Sequence, residues 1–260
     1  MKKINYMGGN IMSNKIDRTG EESYNNFGTL MKIIEYKNNK QVLIEFQDEY
    51  KYRTYVKYLD FQRGFVRNPY DRCIAGIGFM GVGESYKDNI NAYHVWNDMI
   101  TRCYDSNCSS YLNYYDCTVC EEWHNFQNFV QWYNFNFYQV PNERMHLDKD
   151  ILYKGNRLYS PETCVFVPAG INTIFTHKKQ KSTDLPVGCF YNHGKIQVVC
   201  RTYYKQVIVG RFELDDIEAA FNAYKDFKEN YIKQLAEDYR YIIPDNLYHA
   251  LLQYEIDIND

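Results

Sequence analysis

The apolar residues of this 260-residue chain change their spacing several times, and that switching limits the fold more than any other feature. From Thr29 they come in short runs broken by polar pairs. Leu30, Ile33, Ile34 and Tyr36 are followed by Val42, Ile44 and Phe46, then by Tyr52, Tyr55, Val56 and Tyr58. Alternation of this kind puts one set of side chains on one face of a pleated strand. Residues 63–69 read as a last strand and turn, so 27–84 is expected to be a small β-domain of five-stranded, SH3-like, barrel-like form. The polar, aperiodic residues 1–26 read as a flexible arm.

Near Asn91 the period lengthens. Tyr93, Trp96, Met99, Ile100 and Cys103 recur at helical spacing, and Trp123, Phe126, Phe129, Val130 and Trp132 mark the inner face of a second helix over 121–136. A Lys-rich linker, 176–186, ends in Pro186. Three short alternating segments follow, at 187–191, 196–201 and 207–212. A long helix beginning near Asp215-Asp216 and a last one over 245–254 complete the chain. The class is α+β: a small N-terminal β-domain, a central segment (92–175) with its own helices, and a C-terminal module (187–260) of three-stranded sheet plus helices.

The charge balance, 30 basic against 33 acidic side chains, argues against a generic polyanion binder. The distribution is uneven, however. Residues 187–211 hold Lys195, Arg201, Lys205 and Arg211 with no acid, so a basic strand face is expected on an acidic support. The 8 cysteines, together with an N-terminal stretch that lacks the apolar run of a secretory signal, point to a reducing, cytoplasmic setting. No stretch approaches the roughly 18 apolar residues needed to cross a bilayer, so no membrane partner is expected.

The densest polar wording is Met145-His146-Leu147-Asp148-Lys149-Asp150, then Lys154-Gly155-Asn156, then Tyr159-Ser160-Pro161-Glu162-Thr163-Cys164, closing on Asn172. It reads as strand, turn, strand and short helix with hard oxygen donors at both ends. Asp148 and Asn172 are candidates to share one Mg²⁺, an ion that takes one or two protein oxygens and keeps its remaining waters. His146 falls on the same side of a strand as Asp148 and is a candidate base; His177 is a further one.

These positions, with Trp96, Met99, Arg102-Cys103-Tyr104, Val119-Cys120, Trp123, Phe126 and Phe129 before them, resemble phage and mobile-element HNH-like endonucleases over about 80 residues. The resemblance implies a ββα-metal segment in which Asp148 and Asn172 occupy the two metal-ligand positions, and for a phage-encoded chain it implies the host cytoplasm. Two positions depart from the signature. Lys149 stands where an active HNH site has its general-base histidine, and Thr163 stands at the middle asparagine. A lysine does general-base work only where its surroundings favour loss of the proton, so His146 and Lys149 are both carried as candidates.

Cys103, Cys108, Cys117 and Cys120 make C-x4-C-x8-C-x2-C, a candidate structural Zn²⁺ set, weighed against reduced core cysteines. The C-terminal module, through Val187-Gly188, Gly194-Lys195, Val198, Arg201, Val209-Gly210-Arg211-Phe212 and Ile217-Glu218-Ala219-Ala220, is similar to the Apetala-type DNA-binding domain. That similarity implies three strands in the major groove of double-stranded DNA, with Lys195, Arg201, Lys205 and Arg211 at phosphates or base edges. The expected function is DNA binding by an HNH-like protein, as a metal-dependent, homing-type endonuclease. The alternatives are an inactive DNA-binding regulator, or an adaptor that inhibits a host factor, with the N-terminal domain as the surface for a host protein.

Overall fold

A computed structural model describes residues 16–175 and 184–258. The protein is mixed α+β, with several small sheets and no closed barrel. Its described residues divide into two compact units, one of residues up to 73 with 79–82, the other of 74–78 with those from 83 on.

The first unit is an open antiparallel meander of β1 (Glu22–Tyr24), β2 (Leu30–Asn38), β3 (Gln41–Phe46) and β4 (Arg53–Val56), in that order. Alternation puts Met31, Ile33, Val42, Ile44 and Phe46 on its covered face. Two expectations differ here. Residues 22–24, read as part of the arm, pair with β2, held by the turn in which Asn25 Oδ1 accepts from the backbone N–H groups of Phe27 and Thr29. The expected fifth strand and barrel closure do not form. Tyr58 and Phe61, three residues apart, bury together as the inner face of a short helix, α1 (Tyr58–Gln62). Gly64, at φ +69°, then turns the chain against the carbonyl of Tyr24, and Phe65 is left 64% exposed.

The second unit begins with α2 (Ile90–Tyr104), α3 (Tyr111–Tyr114) and β5 (Thr118–Val119), then a 3₁₀ turn (Glu121–His124) and α4 (Phe126–Asn136). The expected single helix over 121–136 is split because Asn125 caps α4, its side chain accepting from the backbone of Gln127. Trp96, Met99, Ile100, Trp123, Phe126, Phe129 and Val130 are all buried. The Trp96 indole N–H donates to the carbonyl of Trp123 at 2.7 Å, and Gly78 packs so close to that indole that any side chain there would collide with it.

Next come β6 (Met145–Asp148), β7 (Leu158–Tyr159), β8 (Val165–Pro168) and α5 (Ala169–Phe175). β6 and β8 are antiparallel, while β7 runs parallel to β5. Beyond the expected linker, whose residues 176–183 lie outside those described, β9 (Cys189–Asn192), β10 (Lys195–Arg201) and β11 (Gln206–Phe212) form a sheet in the order β11-β10-β9. Helices α6 (Ile217–Tyr239) and α7 (Asp245–Leu252) follow.

α6 is the spine of this unit. Its 23 residues run for about 34 Å. Its first half, Ala220, Phe221 and Tyr224, packs on Cys189, Ile196, Val198 and Cys200 of the three-stranded sheet. Its second half, Ile232, Leu235 and Ala236, packs on Val165, Val167, Ile171 and Ile174. Between the halves, buried Lys228 donates to the carbonyls of Ile174 at 2.6 Å and Arg201 at 3.3 Å. No helix among the described residues is long and apolar enough to cross a membrane.

Candidate functional site

Strand pleat decides which side chains meet at β6. Leu147 pairs with Phe166, while His146 pairs with Val167 and Asp148 with Val165, so His146 and Asp148 share the face on which Val165 and Val167 meet α5. Asn172, on α5, reaches back across that face. Its side-chain amide nitrogen lies 3.1 Å from His146 Nδ1. An amide nitrogen only donates, so in this orientation Nδ1 accepts and the proton of the neutral ring sits on Nε2. Burial, then the positive charges of Arg144 and Arg102, hold the imidazole below its usual pKa.

Asp148 ends the strand. Its Oδ1 accepts from the backbone N–H groups of Asp150 at 2.9 Å and Ile151 at 2.8 Å, which turns the chain into the loop before β7. Burial, followed by the charge of Asp150, pushes its carboxyl up to about 6. The loop is closed by Asn156, whose amide donates to the carbonyls of Lys149 and Leu158, both at 2.7 Å. Thr163 donates from its hydroxyl to the same Leu158 carbonyl at 2.7 Å. The Thr163 side chain therefore helps hold the loop.

His146, Asp148, Lys149 and Asn172 line one cavity of about 790 Å³. His177 lies outside the described residues. Lys149 is buried, with Nζ 3.4 Å from Asp150 and under 6 Å from the ring centroids of Tyr114 and Tyr159. The cavity is lined by three acids, Asp98, Asp148 and Asp150, and by five basic side chains, Arg102, Arg144, Lys149, Lys154 and Arg157. Its charge favours an anion.

Arg102 and Tyr114 were not legible as site residues. The available signal was a basic residue, Arg102, on the flank of a helix face that carries Met99 and Cys103. The structure seats its guanidinium carbon 4.8 Å from the ring centroids of both Tyr114 and Tyr159.

The four cysteines are not gathered into one ligand shell. Cys103 is buried on α2, and burial pushes its thiol up to about 11. Cys108 meets the hydroxyl of Ser110 at 3.2 Å, and Cys117 meets Asp116 at 3.7 Å. Among the described residues no cluster of three or more His, Cys, Asp or Glu side chains is arranged to hold a metal. One or two oxygen ligands for a hydrated Mg²⁺ are a smaller set than such a cluster.

In the three-stranded sheet, Ile196, Val198 and Cys200 face α6, which leaves Lys195, Gln197 and Arg201 on the opposite side. Arg211 stands across from Gln197 in register and is exposed, as are Arg201 and Lys205. Lys195 is bound to Glu213 at 2.6 Å, whereas Arg201 and Arg211 have no ion pair among the described residues. Phe190, also opposite Gln197, and Ile208 add exposed apolar surface to this side.

Comparison of the chain with protein-family models, with curated proteins and with solved structures gives no match.

Proposed function

We propose that this chain is a DNA-binding protein built on an HNH-like ββα-metal segment, with a C-terminal sheet of the Apetala type that lies against duplex DNA. The observation that carries the reading is the meeting of His146, Asp148 and Asn172 in a cavity whose fixed charges are mostly positive. A phosphodiester is the anion that such a donor set suits.

Asp148 and Asn172 are the residues that would hold Mg²⁺. The fit is favourable: a half-buried carboxyl crowded by Asp150 gains from a divalent cation, and the Asn172 amide, donating through nitrogen, leaves its oxygen for ligation. Bound there, the ion would stabilise charge on the leaving oxygen during cleavage. The protein's own groups do the rest. Arg102, Arg144 and Lys154 draw the backbone in, and Lys149 fixes the loop through Asp150. His146 acts as base at Nε2 only after the Asn172 amide turns so that its oxygen accepts from Nδ1–H, and in that orientation Asp148 alone is left to hold the ion. On the sheet, Arg201, Arg211 and Lys205 meet phosphates or base edges, with Lys195 held partly in reserve by Glu213.

The inactive, DNA-reading alternative is favoured by one observation: His146 Nδ1 is occupied and Lys149 stands at the base position, ion-paired. Binding and cleavage of mixed genomic DNA, in Mg²⁺ or Mn²⁺ against EDTA, test both readings with wild type and Asp148→Ala. Metal-dependent nicking that Asp148→Ala abolishes supports the endonuclease. Binding without nicking supports the regulator. Neither binding nor nicking defeats both.

A further inference from the structure

Arg102 is a cation of the cavity that no ion pair engages among the described residues, though the charge of Asp98, one turn earlier on α2, also acts on it. Lys149 has Asp150 at 3.4 Å, Arg157 has Asp116 at 3.4 Å, and Lys154 donates to the carbonyl of Glu255 at 2.9 Å. Arg144 is exposed to water. Arg102 lies in the last turn of α2, sandwiched between the rings of Tyr114 and Tyr159, and its Nε is buried with no hydrogen-bond partner. Among the described residues it has neither an ion pair nor a side-chain hydrogen bond.

Two aromatic faces offset part of the cost of desolvating a guanidinium, since each attracts a cation weakly. They supply no acceptor for its N–H groups. A half-buried charge whose Nε–H lacks an acceptor is costly, and a fold that retains one gains when a ligand brings acceptors to the guanidinium. A guanidinium fork can give two parallel N–H···O bonds to one oxyanion, and the two rings, each 4.8 Å from its carbon, limit how far it moves before a ligand arrives. Lys149, facing the same two rings at 5.8 and 5.7 Å, adds positive charge on the same side.

We propose that Arg102, clamped between Tyr114 and Tyr159, is the phosphate-binding group of this cavity, and that the oxyanion it takes is a backbone phosphate of DNA. The choice of DNA over free phosphate rests on the function proposed above. The clamp itself rests on the geometry alone.

The test uses the full chain in EDTA, so that binding is read without cleavage. Inorganic phosphate is titrated into wild type, Arg102→Met and Arg102→Lys, with thermal melting to establish that each variant is folded. The Arg102 Nε–H signal of the wild type is followed by NMR, which keeps the test open should the methionine variant fail to fold. A short DNA duplex is then titrated across a range of salt.

Phosphate is expected to move the Nε–H signal, and its affinity to fall at least tenfold in Arg102→Met and less in Arg102→Lys. For the duplex, losing one phosphate contact lowers the slope of log K against log salt by about one. An unmoved Nε–H signal, or undiminished phosphate affinity in folded Arg102→Met, overturns the clamp. A duplex bound by wild type and Arg102→Met with equal affinity and slope overturns its assignment to DNA backbone while leaving DNA binding intact. Phosphate binding that depends on Arg102, with no duplex binding at all, upholds the clamp as a free-phosphate site and defeats the DNA reading.

Discussion

The side-chain amide of Asn172 stands 3.1 Å from Nδ1 of His146 and so ties α5 to the strand that carries Asp148. That contact sets the ring's tautomer, and the ring's burial sets its charge. The folded imidazole titrates below the ordinary 6.5 because burial and then Arg144 and Arg102 disfavour its cation. A group with a depressed folded value contributes stability that is present above the unfolded value and lost as pH falls through the folded one. The NMR midpoint of His146 is therefore expected below 6.5, and His146→Gln should lose less stability than wild type on acidification from neutral pH.

Asp148 behaves in the opposite sense. Its folded value is raised from 3.8 to about 6, so its contribution is complete below 3.8 and is lost as pH rises through 6. Asp148→Asn is expected to raise the melting temperature at pH 7.5 and to change it little at pH 3.5. Excess Mg²⁺ should stabilise wild type at pH 7.5 and leave Asp148→Asn unmoved. Differential scanning calorimetry of both proteins in these three conditions checks both. Equal Mg²⁺ stabilisation of the two proteins would remove Asp148 as a ligand.

Lys228 joins three elements through one ammonium, donating from α6 to the carbonyls of Ile174 and Arg201. Replacing it by Met relieves a buried charge but orphans two acceptors, each worth about 1–3 kcal/mol when left unpaired. Lys228→Met is expected to cost about 2 kcal/mol in urea unfolding, the relief offsetting part of the loss.

Gly170, two residues before Asn172, lies beneath the ring of Tyr203 in the turn between β10 and β11, and a methyl group there would run into that ring. Gly170→Ala should cost about 1–3 kcal/mol through overpacking. The same change in a Tyr203→Leu background should cost less, and a double-mutant cycle measures the coupling. Additive costs would show that the helix of the site and the sheet are independent.

On the sheet, the two arginines and the lysine differ in readiness. Arg201→Ala and Arg211→Ala are each expected to lower the salt slope of duplex binding by about one. Lys195→Ala should lower it less, because Glu213 already holds that ammonium at 2.6 Å. Fluorescence anisotropy at several salt concentrations separates the three, and equal slopes would argue against this face as the DNA surface.

Local pattern was enough for elements whose apolar period is regular. Residues 196–201 and 207–212 were readable as strands, and the helix after Asp216 was readable in its position, though the Asp216 side chain makes no capping hydrogen bond, because side-chain alternation and helical spacing are properties of neighbouring residues. The split at Asn125 and the helix at Tyr58–Gln62 were less legible. There a cap or two buried aromatics three residues apart outweigh the run around them. His146 and Asp148 were readable as candidates because they lie in a dense polar segment, Asn172 because it closes the strand–turn–strand–helix unit, and Lys149 only through the HNH resemblance.

Tertiary structure alone decided what those candidates meet. Nothing in the spacing places Asn172 on His146, because that contact needs the β6–β8 register and the angle of α5 together. The same holds for Arg102, which lies 47 positions before Lys149 and lines the same cavity from α2, a helix packed on α3, α4 and β5. The sequence by itself determined an α+β chain with one polar cluster and one basic strand pair. Which charges in that cluster are balanced, and which guanidinium is left between two rings without an acceptor, is a matter of long-range packing that no local period records.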